Sequence, residues 1–199
     1  MSDPARTAKR PKTWEDLAEL PEGCVGEIVG GEIVLLPRPN PPHGRTQAKL
    51  HAKIGGAFDL GEGGPGGWEI RVEPGIRFGE EIRVPDLAGW RSERFEEPNE
   101  GPLLVIPDWV CEIVSPSTAR SDRTAKLRLY AQHGARHYWI IDPERQTLEV
   151  YRLEGKVWVV AATFGGDERV RAEPFDAVEI ELARLWMPPA PTPATPPTP

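Results

Sequence analysis

The 199-residue sequence contains little cysteine, with Cys24 and Cys111 as its only two. Two cysteines are too few for a disulfide framework or a cysteine-rich zinc cluster, and we expect both to be small buried hydrophobes. No hydrophobic run approaches the ~18 residues that a membrane helix needs. The first twelve residues are polar and basic, without the apolar stretch of a secretory signal. These features predict a cytoplasmic protein.

An overall excess of positive charge is also lacking, since the formal net charge is −7 at pH 7. Strong non-specific binding to DNA needs clustered lysine and arginine, so the net charge argues against it. Locally, however, the segment from Arg120 to His137 holds four arginines and Lys126 against one acid, Asp122. This segment is either a solvated helix face or a local contact for nucleic acid, and the sequence leaves both open.

The length suits one domain with a sizeable core, and a hydrophobic fraction of 39% is typical of a globular protein. We predict a flexible basic arm at residues 1–12, a single domain at 13–187 and a disordered tail at 188–199. The tail prediction rests on composition, because its Pro, Ala and Thr residues cannot form a packed element.

Local signals place helices between groups of strands. Thr13 and Asp16 have the spacing of a capping box, Gly30-Gly31 is typical of a hairpin turn, and Gly134 is typical of a helix end. The predicted helices are Trp14 to Leu20, His43 to Leu60, and Ala119 to His133. The predicted strands are Cys24 to Val29, Glu32 to Leu36, Trp68 to Glu73, Ile82 to Trp90, Asp108 to Val114, His137 to Asp142, Gln146 to Leu153 and Val157 to Phe164. This order predicts a mixed α/β sheet with helices on its faces.

Glu112 is the first candidate for chemistry. Side chains alternate along the strand Asp108 to Val114, and both of its faces are otherwise apolar, as in a central strand. Burying an unpaired carboxylate is costly, so Glu112 needs a cation, a hydrogen-bond donor or a metal. The alternatives are a structural ion pair and a strand-end residue that reaches solvent.

Asp86 is the second candidate, on the predicted strand Ile82 to Trp90, where Pro85 marks a strand start or edge. If this strand pairs with Asp108 to Val114, the carboxylates of Asp86 and Glu112 can face each other, ~5 Å apart at Cβ. Two close carboxylates repel unless a proton or a divalent metal lies between them. Oxygen ligands favour a hard ion such as Mg²⁺ or Mn²⁺.

Lys126 is the third candidate, and its position follows from simple lengths. The chain continues ~7–10 Å beyond Glu112 along the strand. It then turns and returns as a helix, in which Lys126 lies ~12 Å along the axis. Lys126 should therefore lie level with Glu112 on the side facing the sheet. The alternative is an exposed i,i+4 ion pair with Asp122.

Several of these residues together resemble a known family. The pattern comprises Val84-Pro85-Asp86, Glu112-Ile113-Val114-Ser115-Pro116-Ser117, Asp122, Lys126, Tyr130, Gly134, and Tyr138-Trp139-Ile140-Ile141-Asp142-Pro143. Glu27-Ile28-Val29-Gly30-Gly31-Glu32 and Pro42-His43 extend it. The pattern is similar to the Uma-two family of restriction endonucleases, within the PD-(D/E)XK nuclease superfamily, and the similarity spans Thr13 to Trp186.

The resemblance implies a restriction-endonuclease-like mixed β-sheet flanked by α-helices, with additional C-terminal antiparallel strands. It also implies an endonuclease that hydrolyses DNA phosphodiester bonds with Mg²⁺ or Mn²⁺. Asp86, Glu112 and the carbonyl of Ile113 would bind the metal, and Lys126 would orient water or offset charge on the phosphate. The supporting residues would be Glu27, His43, Asp122 and Tyr130. Glu27 could instead be a surface strand-end residue, and His43 merely polar surface.

The sequence departs from the superfamily pattern at Val114, where the motif has a lysine, and we interpret Lys126 as a migrated lysine. Another function class stays open: a nuclease fold with weak or no activity that binds nucleic acid or protein, which the acidic net charge favours. By analogy, cutting both strands needs two sites, so we predict a homodimer. A zinc pair of His133 and His137 is not expected, because Gly134 should end the helix between them.

Overall fold

The computed structural model describes residues 10–115 and 118–188. Within these residues, twelve strands form three sheets. In chain order the strands are β1 Gly26–Val29, β2 Glu32–Leu35, β3 Trp68–Val72, β4 Ile76–Phe78, β5 Glu81–Arg83, β6 Leu87–Arg91, β7 Trp109–Ile113, β8 His137–Asp142, β9 Thr147–Glu154, β10 Val157–Gly165, β11 Arg169–Val170 and β12 Ile180–Glu181.

The described helices include α1 (Trp14–Ala18) and α2 (Pro41–Ile54), which continues into a π-helical turn, Gly55–Asp59. The helix α3 (residues 119–133) has α-helical ends, Ala119–Ser121 and Leu127–His133, around a π-helical turn, Asp122–Lys126. Two short 3₁₀ helices are Ser92–Arg94 and Leu182–Arg184. In the part of the chain that the structure describes, no helix is long and apolar enough to cross a membrane.

The largest sheet has six strands in the order β10-β9-β8-β7-β6-β3. Its strands pair antiparallel except for β7 and β8, which are parallel and are joined through α3. A second sheet has the order β2-β1-β5-β4, and β11 pairs with β12. A parallel pair needs a crossover connection, so the position of α3 against the central sheet follows from the topology.

The central sheet packs against a hydrophobic core on each face. One core is rich in large aromatic side chains and includes Trp68, Trp109, Trp139 and Phe175. The other includes Val110, Val114, Tyr130, Tyr138 and Ile140. Strand β7 is buried along its whole length and contributes alternate residues to the two cores.

The structure confirms the predicted mixed α/β architecture, including the C-terminal antiparallel strands β9 and β10. The Gly30-Gly31 hairpin is confirmed by pairing of Val29 with Glu32. The helix that ends at Gly134 is also confirmed, and this glycine has a φ of +83°, which favours a residue without a side chain.

The predicted strand Ile82 to Trp90 is wrong. Residues 81–83 form β5 in the four-stranded sheet, whereas β6 begins at Leu87 in the six-stranded sheet. Between them, Pro85 has no backbone N–H to donate, and the N–H of Val84 donates to the side chain of Glu27 instead of to a strand. The chain therefore changes sheets at these residues.

Other boundaries also differ from the predictions. Helix α2 begins at Pro41 rather than His43, because Asn40 caps it and proline is tolerated in the first turn. Helix α1 ends at Ala18, and strands β4, β11 and β12 were not predicted. Cys111 is buried, but Cys24 is exposed, so the prediction for Cys24 is wrong.

The predicted arm and tail fall largely outside the described residues, namely at 1–9 and 189–199. Within the described part of the arm, Arg10 and Lys12 both form ion pairs with Asp16, at 2.8 and 3.1 Å. The backbone N–H of Thr13 also donates to Asp16, at 2.8 Å, which confirms the predicted capping box.

Candidate active site

Asp86, immediately before β6, lies opposite Glu112 on the neighbouring strand β7. In the antiparallel pair of β6 and β7, Leu87 pairs with Cys111, so one further step places Asp86 across from Glu112. Asp86 Oδ2 accepts a hydrogen bond from the N–H of Ile113 at 2.6 Å. The N–H and C=O of one strand residue point to the same strand edge, so the Ile113 carbonyl is also directed to the Asp86 side.

Lys126 joins these acids from α3. Its Nζ lies 2.9 Å from Glu112 Oε2 and 3.3 Å from Asp122 Oδ1. The π-helical turn Asp122–Lys126 carries both charged residues. The Lys126 side chain is only 8% exposed, so the alternative of an exposed ion pair with Asp122 is wrong.

Tyr130 and Glu27 surround the same cluster. One turn beyond Lys126, the hydroxyl of Tyr130 donates to Glu112 Oε1 at 2.6 Å. Glu27 is buried on β1, where it accepts hydrogen bonds from the N–H of Val84 at 3.0 Å and from Arg83 at 3.1 Å. Its Oε1 lies 3.8 Å from Lys126 Nζ. Glu27 is therefore not a surface strand-end residue.

His43 contacts the cluster from the first turn of α2. Its Nε2 lies 3.0 Å from Asp86 Oδ1. The backbone N–H of His43 donates to the capping side chain of Asn40, also at 3.0 Å, which fixes the start of the helix. The structure thus brings together the carboxylates, the lysine and all four of the supporting side chains named from the sequence.

Burial and neighbouring charges shift the pKa values of the residues in this site. It raises the pKa of Glu112 well above the ordinary value, although Lys126 opposes the shift. Burial also raises the pKa of Asp122. For Lys126, burial lowers the pKa, but Glu112, Glu27 and Asp122 together outweigh it and raise the pKa above the ordinary value. Lys126 therefore stays an ammonium ion at neutral pH.

The pKa values of Tyr130 and His43 are also shifted. Burial raises the pKa of the Tyr130 phenol well above its ordinary value, so Tyr130 stays a hydrogen-bond donor. Burial lowers the pKa of His43, but its hydrogen bond to Asp86 and the charge of Asp86 outweigh burial and raise it. His43 thus supplies positive charge beside Asp86 more readily than an isolated histidine does.

Acidic groups outnumber basic ones in this cluster. Lys126 forms ion pairs with Glu27, Glu112 and Asp122. Arg83 forms ion pairs with Glu27 and Glu81, and Asp86 contacts His43. Close carboxylates that are not fully neutralised favour either a bound proton or a bound cation. The site can therefore accept further positive charge.

His43, Asp86, Glu112 and Lys126 line a pocket of about 440 Å³, and we call these charged residues its floor. The lining also includes Ser115, Thr118 and a group of apolar residues that we call the apolar wall. The apolar wall consists of Val25, Leu36, Pro37, Pro39 and Val84. Sequence reasoning missed this wall, because it depends on contacts between segments that are distant in the chain.

Sequence reasoning also missed Glu73, Gln47 and Arg83. Gln47 donates hydrogen bonds to Glu73 Oε1 at 3.0 Å and to the carbonyl of Asp86 at 3.2 Å. Glu73 has a φ of +48°, a conformation that is uncommon outside glycine and that clusters at functional sites. No sequence signal marks this conformation, since Glu73-Pro74-Gly75 reads as an ordinary turn.

The six-stranded mixed sheet, with one acid on β7, a second just before β6 and a lysine on the crossover helix, defines a restriction-endonuclease-like fold. Residues 14–184 match the model of the family described as "Uma2: Putative restriction endonuclease". The chain belongs to this family.

A solved structure from Anabaena variabilis ATCC 29413, described as "a putative nuclease belonging to DUF820", has a similar fold. The two chains are 25% identical with a TM-score of 0.70, and the match covers 88% of this chain and 98% of the other. Comparison with curated proteins gives no significant match.

Proposed function

We propose that this protein is a metal-dependent endonuclease that hydrolyses DNA phosphodiester bonds. The observation that carries the proposal is the convergence of Asp86, Glu112 and Lys126, from three separate segments, on the floor of one pocket. Membership in a family described as restriction endonucleases supports the same reaction class.

The donor set fits a small hard cation. Carboxylate and carbonyl oxygens are the ligands that Mg²⁺ and Mn²⁺ prefer, and Asp86, Glu112 and the Ile113 carbonyl would supply them. Within residues 10–115 and 118–188 there is no group of three or more His, Cys, Asp or Glu side chains arranged to hold a metal. With two carboxylates and one backbone carbonyl, the proposed donor set is small. Mg²⁺ usually keeps several waters and is bound by one or two carboxylates together with substrate phosphate.

When bound, such a cation would act as a Lewis acid on the phosphodiester and ease the loss of a proton from water. Lys126 stays protonated because the surrounding carboxylates raise its pKa, so it does not serve as a general base. It would instead orient the attacking water as a hydrogen-bond donor, or offset the negative charge that develops on the phosphate.

The supporting residues would act as positioning groups. Tyr130 holds Glu112 Oε1, His43 holds Asp86 Oδ1, and the N–H of Ile113 holds Asp86 Oδ2. Glu27 and Asp122 lie on either side of Lys126 and keep its charge in place. These contacts preorganise the floor of the pocket before substrate enters.

The test is DNA cleavage with supercoiled plasmid and circular single-stranded DNA as substrates, in Mg²⁺ or Mn²⁺ and in excess chelator. We expect metal-dependent cutting of at least one substrate by the wild type. Cutting should be lost in Asp86→Ala and Glu112→Ala and retained in the control Glu62→Gln, an exposed acid outside the pocket. If both alanine variants cut as well as the wild type, the assigned site is wrong.

A second candidate is a nuclease fold that binds nucleic acid or protein without cutting. One observation favours it: both oxygens of Glu112 already have partners inside the protein, Lys126 and Tyr130. Titration calorimetry with Mn²⁺ separates the two, because binding of the metal without cleavage of any DNA would favour the binding protein. The homodimer stays a prediction, and a monomer in sedimentation velocity at micromolar concentration would contradict it.

A further inference from the structure

The catalytic groups proposed above are recessed rather than displayed on a surface. The side chains of Asp86, Lys126 and Glu112 are 16%, 8% and 3% exposed. These side chains line the pocket of about 440 Å³, a volume within the ~300–1,000 Å³ range of pockets that hold small ligands. A pocket of this volume can hold a nucleotide-sized group but is too small to enclose a base-paired helix.

The charge of the pocket is also unlike that of a duplex-binding groove. Among the described residues that line it, Arg38, His43 and Lys126 can carry positive charge, against the acids Glu73, Asp86 and Glu112. Only Arg38 is exposed at the rim. Duplex DNA carries two rows of closely spaced phosphates, and proteins that bind it contact them with several lysines and arginines.

The apolar wall supplies a different kind of contact. Val25, Leu36, Pro37 and Pro39 face the pocket beside the carboxylates, and Val25 is 41% exposed in the free protein. Enzymes that act on an unpaired nucleotide hold its base against apolar or aromatic side chains. In a duplex the bases are stacked inside the helix, and one of them must be unpaired and flipped out, at an energetic cost, before it can reach such a wall.

We infer that the substrate is single-stranded DNA, with one unpaired base held against the Val25–Leu36–Pro37–Pro39 wall while its phosphate reaches Asp86 and Glu112. Arg38 at the rim contacts a neighbouring phosphate of the same strand. This inference rests on the proposed nuclease function and names the substrate class of that site.

The first test compares initial cleavage rates on a fluorescent single-stranded oligonucleotide and on the same strand annealed to its complement, in Mn²⁺ and in Mg²⁺. We expect the single strand to be cut at least about tenfold faster, because pairing withholds the base from the wall. A duplex cut as fast as the single strand would overturn the inference and leave the nuclease function standing. Absence of cleavage on either oligonucleotide and on plasmid would overturn the nuclease function itself. A matching RNA strand cut faster than the DNA would overturn the choice of DNA.

The second test fills the pocket without touching the carboxylates. Val25→Trp should slow cleavage of the single strand about tenfold or more, because the indole occupies the space of the base. Val34→Trp is the matched control: Val34 is 46% exposed on the same hairpin but does not line the pocket, so its rate should stay within about twofold. Leu36→Trp repeats the test at a second wall position, and Mn²⁺ calorimetry on each variant checks that the metal centre is intact. Unchanged cleavage by both Val25→Trp and Leu36→Trp would contradict the role of the wall.

Discussion

The two faces of strand β7 have opposite character. On one face, Trp109, Cys111 and Ile113 enter a core of large hydrophobic side chains. On the other, Glu112 lies between Val110 and Val114 and meets a lysine, a tyrosine and a second carboxylate. Both faces are fully buried, so exposure does not distinguish them.

The difference shows how one strand can serve stability and chemistry separately. Hydrophobic burial stabilises the first face, by about 25 cal/mol per Å² of apolar surface. On the second face, each charged group loses its hydration, which costs free energy. The attraction between the oppositely charged partners only offsets that cost. A buried cluster of this kind is weak evidence for stability and better evidence for a site whose groups must be held in place.

The largest expected effect is on the hydrophobic face. Trp109 is fully buried, and its ring lies 5.3 Å from Trp139 and 4.9 Å from Phe175, between centroids. Trp109→Ala should lower the free energy of unfolding by about 3–5 kcal/mol, measured by urea denaturation. Val160→Ala, at a side chain 57% exposed on β10, is the control and should change it by less than about 0.5 kcal/mol. A loss below about 1 kcal/mol for Trp109→Ala would show that this face is not the stabilising one.

The next effect concerns Lys126 on the polar face. Lys126→Met leaves buried carboxylates without their cation and should lower the free energy of unfolding by about 3 kcal/mol near pH 8. The double variant Lys126→Met/Glu112→Gln should recover at least about half of this loss, because it removes the orphaned charge. Lys49→Met, at an exposed lysine of α2, serves as the control.

The pH dependence of the Lys126→Met loss has a definite sign. Burial raises the pKa of Glu112 in the folded protein, so its carboxyl destabilises the fold as pH rises above the unfolded pKa. Without Lys126 the pKa of Glu112 rises further, so its carboxyl destabilises the fold more at high pH. The stability lost in Lys126→Met should therefore be smaller near pH 5 than near pH 8. Equal losses at both pH values would indicate that Lys126 contributes packing rather than charge.

A smaller effect separates two tyrosines on the same face. The hydroxyl of Tyr130 donates to Glu112, whereas that of Tyr138 donates to the backbone carbonyl of Asp122 at 3.0 Å. Both Tyr→Phe variants should lose about 1–2 kcal/mol of stability. Only Tyr130→Phe should weaken Mn²⁺ binding, by about tenfold in calorimetry, since it alone removes a hydrogen bond that orients a carboxylate of the metal site. Equal Mn²⁺ affinities in the two variants would remove Tyr130 from the site.

The parts of the site that the sequence could predict are those set by local signals. Alternation along one apolar strand was enough to single out Glu112, and the lengths of a strand and a returning helix placed Lys126 beside it. Asp86 was placed correctly although its strand was drawn too long, because pairing from Leu87 onwards sets the register. Each of these inferences needs only regular geometry over a short stretch of chain.

The parts of the site that the sequence could not predict depend on contacts between distant segments of the chain. The burial of Glu27 requires Arg83 and Val84 from another strand, and the apolar wall of the pocket brings Val25 to the segment after β2 and to Val84. The π-helical turn at Asp122–Lys126 has no sequence signature, since its residues also suit an ordinary α-helix. Secondary-structure patterns do not encode such contacts.

The central claim is that three chain segments surround one divalent cation, and crystals soaked in Mn²⁺ test it most directly through anomalous scattering. We predict one strong peak in contact with the carboxylates of Asp86 and Glu112 and with the carbonyl oxygen of Ile113, at metal–oxygen distances of about 2.1 Å. Lys126 should lie beside this peak without binding it. Manganese bound elsewhere, or no peak at these residues at millimolar Mn²⁺, would contradict the claim.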